Sequence, residues 1–459
     1  MHHNRTFFGP ANRSRVSKWL AAAAVAIGFS SISMAQSFTN VPVLNRLASE
    51  GKNSNLSEML RAKAWARRVG FPELKKFDSG RILVLKGWQF GRPTFWSTDN
   101  REAAAMTGVD ALWPGGSLAL SLNGSGTYGG SWEPGGVPEV THREFTGRVI
   151  KKDGSNGISD HATHTAGTMV AAGIDPAAKG MAYQGTLHAY DTNSSESEIA
   201  TASGTGMSVS NHSYGPLAGF EFGLGGQFAY YWLGDPTVST FEDFQFGFYD
   251  FWSAYYDNLC YNAPYHTLVK SAGNKRNPGV PSTAFDHYVF DNSGNWVLTN
   301  AARYDQSTYD TISSGFSVSK NVLSVAAVNK LTKDYSSPSD VVMSSFSSWG
   351  PTDDGRIKPD VSAIGVGVYS SVSGNAYDTY DGTSMAAPNT TGAIMLLEEY
   401  YEKLHGGQKM RSSMVKALLC HTAKEAGTTL GPDYAFGWGL LDAKAAAEKI
   451  TAGAFNSVE

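Results

Sequence analysis

The chain has 459 residues, of which 17% are charged, 12% aromatic and 50 are glycine, with a formal net charge of −4. This is long enough for one large α/β domain with additions or roughly two to three ordinary domains, and the composition is not that of a disordered or fibrous chain. All the charges in residues 1–35 are basic (Arg5, Arg13, Arg15, Lys18), so the remainder carries about −8 with no basic run, which argues against a nucleic-acid partner.

The first segment reads as an export signal. Arg13, Arg15 and Lys18 precede an apolar run over residues 19–29, and Ser33-Met34-Ala35 supplies small residues at the two positions that direct cleavage, expected after Ala35. The run is shorter than the roughly 18–20 residues needed to span a bilayer. No other segment is long and apolar enough, so the processed chain is expected to be secreted or periplasmic, with no stable membrane insertion. Cys260 and Cys420 permit one disulfide at most, and their helix-like contexts favour two unpaired, buried thiols.

Residues 36–112 form a first block. Apolar spacing predicts a helix over 56–69, strands over 81–88 and 93–97, and a helix over 100–106, together a small α/β unit. From residue 113 onward short β-like runs alternate with helices, the pattern of a mostly parallel sheet covered by helices on both faces. Strands are expected at 186–190, 207–211, 267–271 and 322–328, with 346–348 entering a turn. Helices are expected at 161–172, 241–261, 392–405, 412–423 and 442–450. Residues 275–320 are polar and turn-rich and read as a surface insertion. The stretch 220–261 holds 16 aromatics. Phe244, Phe248, Phe251 and Tyr255 have helical spacing and read as core, whereas part of 220–232 is expected at a substrate groove.

Two segments carry chemistry. Ser159-Asp160-His161-Ala162-Thr163-His164-Thr165-Ala166-Gly167-Thr168 opens a helix after a Gly-rich loop, with Ser159 or Asp160 able to cap it. His161 and His164 at i and i+3 lack the spacing and the central Glu of a zinc-protease helix, and no third ligand cluster accompanies them. Downstream, Asp381-Gly382-Thr383-Ser384-Met385-Ala386-Ala387-Pro388 runs into a helix. Small neighbours leave room for a substrate backbone beside the Ser384 hydroxyl, Pro388 suits a first helical turn, and a helix N-terminus favours a developing oxyanion. An ordinary capping serine is the commoner use of such a residue. Only partners elsewhere in the chain decide between the two.

Those partners take the form of a resemblance. His-Ala-Thr-His-Thr-Ala-Gly-Thr from His161 and Gly-Thr-Ser-Met-Ala-Ala-Pro around Ser384 resemble the histidine and serine boxes of subtilisin-like serine proteases, in the order acid, histidine, serine. The resemblance covers roughly residues 113–452 and also takes in Met343 to Pro351, Lys358 to Gly365 and Phe436 to Ala443. It implies a subtilisin-like doubly wound α/β fold, with Ser384 as nucleophile, His161 as base and His164 as a structural neighbour. Val269-Lys270-Ser271-Ala272-Gly273-Asn274 resembles the strand ending in the oxyanion-hole asparagine, here Asn274. Ser213, Tyr214 and Gly215 would pair with substrate and form one pocket wall; Ser271, Ala272 and Gly273 would form the other.

Two positions depart from the family. Ala162 stands where it has Gly, and the carboxylate after the first core strand is Glu133 rather than Asp. Aligned by Trp132 and the glycines that follow, Glu133 is the expected orienting acid, with Asp153 and Asp160 as competitors. Its extra methylene adds about 1.5 Å, a displacement that costs catalysis unless the backbone retreats. The expected product is an exported serine endopeptidase acting on polypeptides, needing no cofactor for its chemistry although the family often carries structural calcium, with residues 36–112 in the place of a propeptide. The rival readings are a catalytically impaired, peptide-binding protein of the same fold and an acid-type relative using a carboxylate base.

Overall fold

The computed structural model describes residues 39–76, 82–89, 92–97 and 104–453, apart from 282, 283, 292, 304–309, 332 and 333. All of these belong to the unit Phe38–Glu459; the expected export segment lies outside them.

The chain begins with helix α1 (Val41–Val69) and a small antiparallel sheet of β1 (Leu74–Lys76), β2 (Ile82–Gln89) and β3 (Arg92–Ser97). Asn40 caps α1 by accepting from the Val43 amide at 3.2 Å, and Gly70 closes it in the left-handed region. The helix starts well before residue 56, where the sequence pattern placed it. Gly51, Asn53 and Asn55 weaken that first half, and packing overrides the weakness: Leu44, Leu47 and Ala48 are buried in one cluster with Trp132, Ile199 and Tyr255. Of the helix expected over 100–106, residues 100–103 lie outside the described residues and Ala104, Ala105 and Met106 lie in a turn.

The body then runs β4 (Tyr128–Glu133), β5 (Val149–Lys151), α2 (Asp160–Val170), β6 (Thr186–Asp191), α3 (Ser195–Gly204) and β7 (Val209–His212). It continues through β8 (Phe220–Phe222), β9 (Tyr230–Trp232), α4 (Phe251–Asn262), β10 (Thr267–Ser271), β11 (His287–Phe290), β12 (Trp296–Thr299), β13 (Leu323–Val328) and β14 (Val361–Ile364). The hairpin β15 (Val368–Val372) and β16 (Ala376–Tyr380) leads into α5 (Thr383–Leu404), α6 (Ser412–Thr422) and α7 (Ala443–Thr451).

Among the described residues seven strands make an all-parallel sheet in the order β14-β13-β10-β7-β4-β6-β5. The first strand, β4, lies inside the sheet; the chain winds from it to the β5 edge and then back across to β7 and β14. That reversal is a topological switch point, where doubly wound sheets leave a crevice at the carboxyl ends of their strands. Helices α2, α5 and α7 pack on one face and α1, α3 and α4 on the other.

Two further expectations are corrected. Helix α4 starts at Phe251 rather than 241, because Asp250 caps it in a reciprocal box with Ser253; Phe251 is exposed and Phe244 and Phe248 precede the helix. Residues 275–320 do not stand apart as a simple surface excursion: β11 and β12 join β9 and β8 in a four-stranded sheet whose Tyr231 and Phe290 pack on Trp65 and Leu85 of the N-terminal unit. Cys260 and Cys420 are free thiols, and burial pushes both up to about 12.

Candidate active site

The carboxyl end of β4 sets the acid. Successive strand residues point to opposite faces, so Trp132 enters the α3 side and Glu133 the α2 side. Trp132 is held by stacking on Tyr190 at 4.2 Å and by its indole N–H on Glu198 at 3.1 Å. Pro134 cannot extend the strand, and Gly135 turns the chain at φ +80°. Glu133 is fully buried, its Oε2 lying 2.6 Å from His161 Nδ1 and its Oε1 accepting from Thr165 Oγ1 at 2.8 Å.

His161 is the second residue of α2. The helix is capped by Ser159, whose Oγ accepts from the Ala162 amide at 3.2 Å. Asp160 is not the cap; it reaches across to Ser373 between β15 and β16. Asp153 is committed to the Ser155 and Asp191 amides. The carboxylate on His161 Nδ1 is that of Glu133. His164 is fixed by Val368 C=O at 3.2 Å and stacks on Tyr380. Among the described residues no group of three or more His, Cys, Asp and Glu converges as a metal donor set.

Ser384 sits in the first turn of α5, almost fully buried, with its Oγ donating to Ser213 C=O at 3.1 Å. Pro388 is not in that first turn, as its sequence context suggested, but one turn further in. There it lacks the amide that would bond the Ser384 carbonyl four residues back. Ser213 Oγ donates to that carbonyl instead, at 2.7 Å. Ser213 thus grips the serine by both its backbone and its hydroxyl.

Asn274 follows β10 after Gly273, whose φ of +108° is open to glycine alone. Its Oδ1 accepts from both the amide (3.0 Å) and the hydroxyl (2.9 Å) of Thr383, the residue before Ser384. Asn274 and Ser384 both line one cavity. This cavity, of about 60 Å³, lies between Tyr214, Gly215, Pro216 and Leu217 on one side and Lys270 to Lys275 on the other. The segments expected as its walls are therefore brought together beside Ser384, although Ser213 itself points to Ser384 rather than lining the space. None of the aromatics from Phe220 to Trp232 lines it.

Three contributors escaped the sequence reading. Thr165 stands one helical turn after His161, on the same face, which is the signal that could have found it. Thr383 holds Asn274. Lys270 is buried in the cavity wall, where desolvation pushes its ammonium down to about 7 against the opposing pull of Glu133.

Residues 125–439 match the family model described as the subtilase family. C5a peptidase of Streptococcus pyogenes serotype M1 is 36% identical over 116 residues, 25% of this chain and 10% of that protein. Bacillopeptidase F of Bacillus subtilis (strain 168) is 34% identical over 115 residues, covering 24% of this chain and 8% of its own length. Subtilisin DY of Bacillus licheniformis is 38% identical over 89 residues, 19% and 29% of the two chains. The chain thus covers about a tenth of the C5a peptidases. In three dimensions it resembles the CspB protease of Clostridium perfringens, with a TM-score of 0.52 at 16% identity over 76% of this chain and 97% of that one, a likeness of fold.

Proposed function

This chain belongs to the subtilase family, and on that footing we propose that it is a serine endopeptidase hydrolysing polypeptides through Ser384, His161 and Glu133. Ser384 Oγ attacks the scissile carbonyl while His161 takes its proton at Nε2 and returns it to the leaving amine. Glu133 fixes the proton of His161 on Nδ1 and stabilises the imidazolium that forms. The negative charge on the tetrahedral carbonyl oxygen is held by Asn274 Nδ2–H and the Ser384 backbone N–H at the start of α5. The two segments flanking the cavity, around Tyr214 to Gly215 and Ser271 to Gly273, hold the residue before the scissile bond.

The observation that carries this reading is the 2.6 Å contact between Glu133 and His161, with Thr165 on the second carboxylate oxygen. It supports the longer acid in this role over the reading of an impaired, peptide-binding protein. No cofactor is required by this chemistry. We place the protein outside the cytoplasm on the strength of its N-terminal signal pattern; among the described residues no helix is long and apolar enough to cross a membrane.

Residues 36–112 we read as a propeptide-like unit that assists folding. Its α1 buries Leu44 and Leu47 against α3 and α4, and the Asn40 amide donates to Asn262 C=O at 2.8 Å. N-terminal sequencing of exported protein tests removal: a start near residues 100–115 supports cleavage, and a start at Gln36 overturns it.

The activity is tested with a fluorophosphonate probe on the purified protein. Covalent labelling that disappears in Ser384→Ala is expected; absence of Ser384-dependent labelling defeats the proposal. Labelling and peptide hydrolysis confined to strongly acidic pH would point instead to a carboxylate base.

A further inference from the structure

Lys270 is 1% exposed, and its ammonium donates to the backbone carbonyl and, at 2.8 Å, to the hydroxyl of Ser271. No carboxylate lies within ion-pair distance of it among the described residues, whereas the neighbouring Lys275 of the same cavity is neutralised by Glu221. The nearest acid it feels is Glu133, already bonded to His161 and Thr165. A buried, unpaired ammonium is expensive, and buried lysines normally have a partner. Here the position offers one from outside. Lys270 lines the cavity beside Ser384, together with the hydroxyl-bearing Ser271, Ser313 and Ser317. A Cβ on Gly215 would stand 3.3 Å from Nζ, so glycine at this point keeps the approach to the ammonium clear.

We propose that Lys270 makes this cavity select an acidic side chain, Asp or Glu, on the substrate residue preceding the scissile bond. The inference rests on the reading of the cavity as the site that receives that residue. A carboxylate entering it receives a charge-assisted hydrogen bond from Nζ and serine hydroxyls for its remaining lone pairs. A basic side chain meets a like charge, and a large apolar one leaves the ammonium both desolvated and unpaired. The fall of the Lys270 pKa to about 7 has the same origin: burial, which the opposing pull of Glu133 does not offset.

The test uses three peptides, succinyl-Ala-Ala-Pro-X p-nitroanilide with X as Glu, Phe or Lys. Wild-type protein is expected to cleave the Glu peptide with kcat/KM at least about tenfold above the other two. In Lys270→Met that ratio falls by about 30-fold or more, the loss typical of removing one member of a buried charge pair. Because the variant is open to misfolding, a second measurement needs only the wild type: mass-spectrometric mapping of cuts in a denatured protein, where Asp and Glu should dominate the position before each cut. Fluorophosphonate labelling of Ser384 without a preference for Glu over Phe and Lys, or a preference unchanged by Lys270→Met, overturns the selectivity while leaving the protease reading intact. Absence of Ser384 labelling overturns both.

Discussion

Replacing Glu133 by Asp withdraws its carboxylate by one carbon–carbon bond, about 1.5 Å. In the native site Oε2 stands 2.6 Å from His161 Nδ1 and Oε1 2.8 Å from Thr165 Oγ1; the withdrawal opens both gaps towards about 4 Å, beyond hydrogen-bond range. The backbone is poorly placed to follow. Trp132 is stacked on Tyr190 and bonded to Glu198, and Glu133 is itself in register with Asp191 of β6. His161 therefore loses its orienting partner, and kcat should fall by about 10²-fold if the ring is merely misplaced, approaching about 10⁴-fold if its tautomer is lost. The assay is kcat and KM on a peptide nitroanilide, with the rate of fluorophosphonate labelling as a second readout and a thermal melt to establish folding. KM should change little, since the acid does not touch substrate. A folded Glu133→Asp protein with kcat within a few-fold of the parent refutes the assignment of Glu133 as the orienting acid.

Asn274→Ala should lower kcat about 10²- to 10³-fold with KM nearly preserved, the magnitude known for such a donor in a subtilisin; a selective rise in KM would instead make it a substrate-binding group. Ser213→Ala strands the Ser384 carbonyl that Pro388 already leaves without an intrahelical partner, and urea unfolding should register a loss of about 1–3 kcal/mol. Leu44→Ala should destabilise the unprocessed protein by about 2–5 kcal/mol, because Leu44 is fully buried against the body; an unchanged midpoint would mean that α1 is not held there in solution. Glu398 in α5 is buried with Oε1 lacking any partner, and desolvation raises its carboxyl from 4.5 to about 8. The folded protein thus keeps a proton that the unfolded chain gives up, so stability falls as pH rises from about 4.5 to about 8 and levels off above. Glu398→Gln should remove that decline, gaining up to a few kcal/mol over the parent at pH 8 and nothing below pH 4.5. Parallel stability curves for the two proteins would contradict it.

Local pattern was a sound guide where it coincided with what tertiary structure demanded. The run 267–271 is uniformly apolar or small apart from Lys270, and it forms β10 within those limits. Helix α6 and α7 likewise begin and end within a residue of their apolar periodicity. The pattern misled where packing overrides propensity. Residues 41–55 carry poor helix formers yet are helical, since Leu44 and Leu47 have a hydrophobic partner face that lies far along the chain. At 241–250 aromatic spacing suggested a helix that the Asp250 cap excludes.

Residue types and their order carry the chemistry available: a serine before a helix, a histidine opening another, an asparagine after a strand and a glutamate where the family has aspartate, in an order that names the fold. Those are properties of residue type and spacing along one chain. Distances between segments are not, and they decided the rest. Only the folded sheet brings the carboxyl ends of β4, β7 and β10 side by side, so that Glu133 meets His161 at 2.6 Å, Ser213 takes the carbonyl Pro388 leaves unbonded, and Thr383 turns Asn274. Lys270 shows the same division: in the sequence it is one charge in an apolar strand, and its meaning comes from desolvation and the lack of a counter-ion, which exist only once the cavity has closed around it.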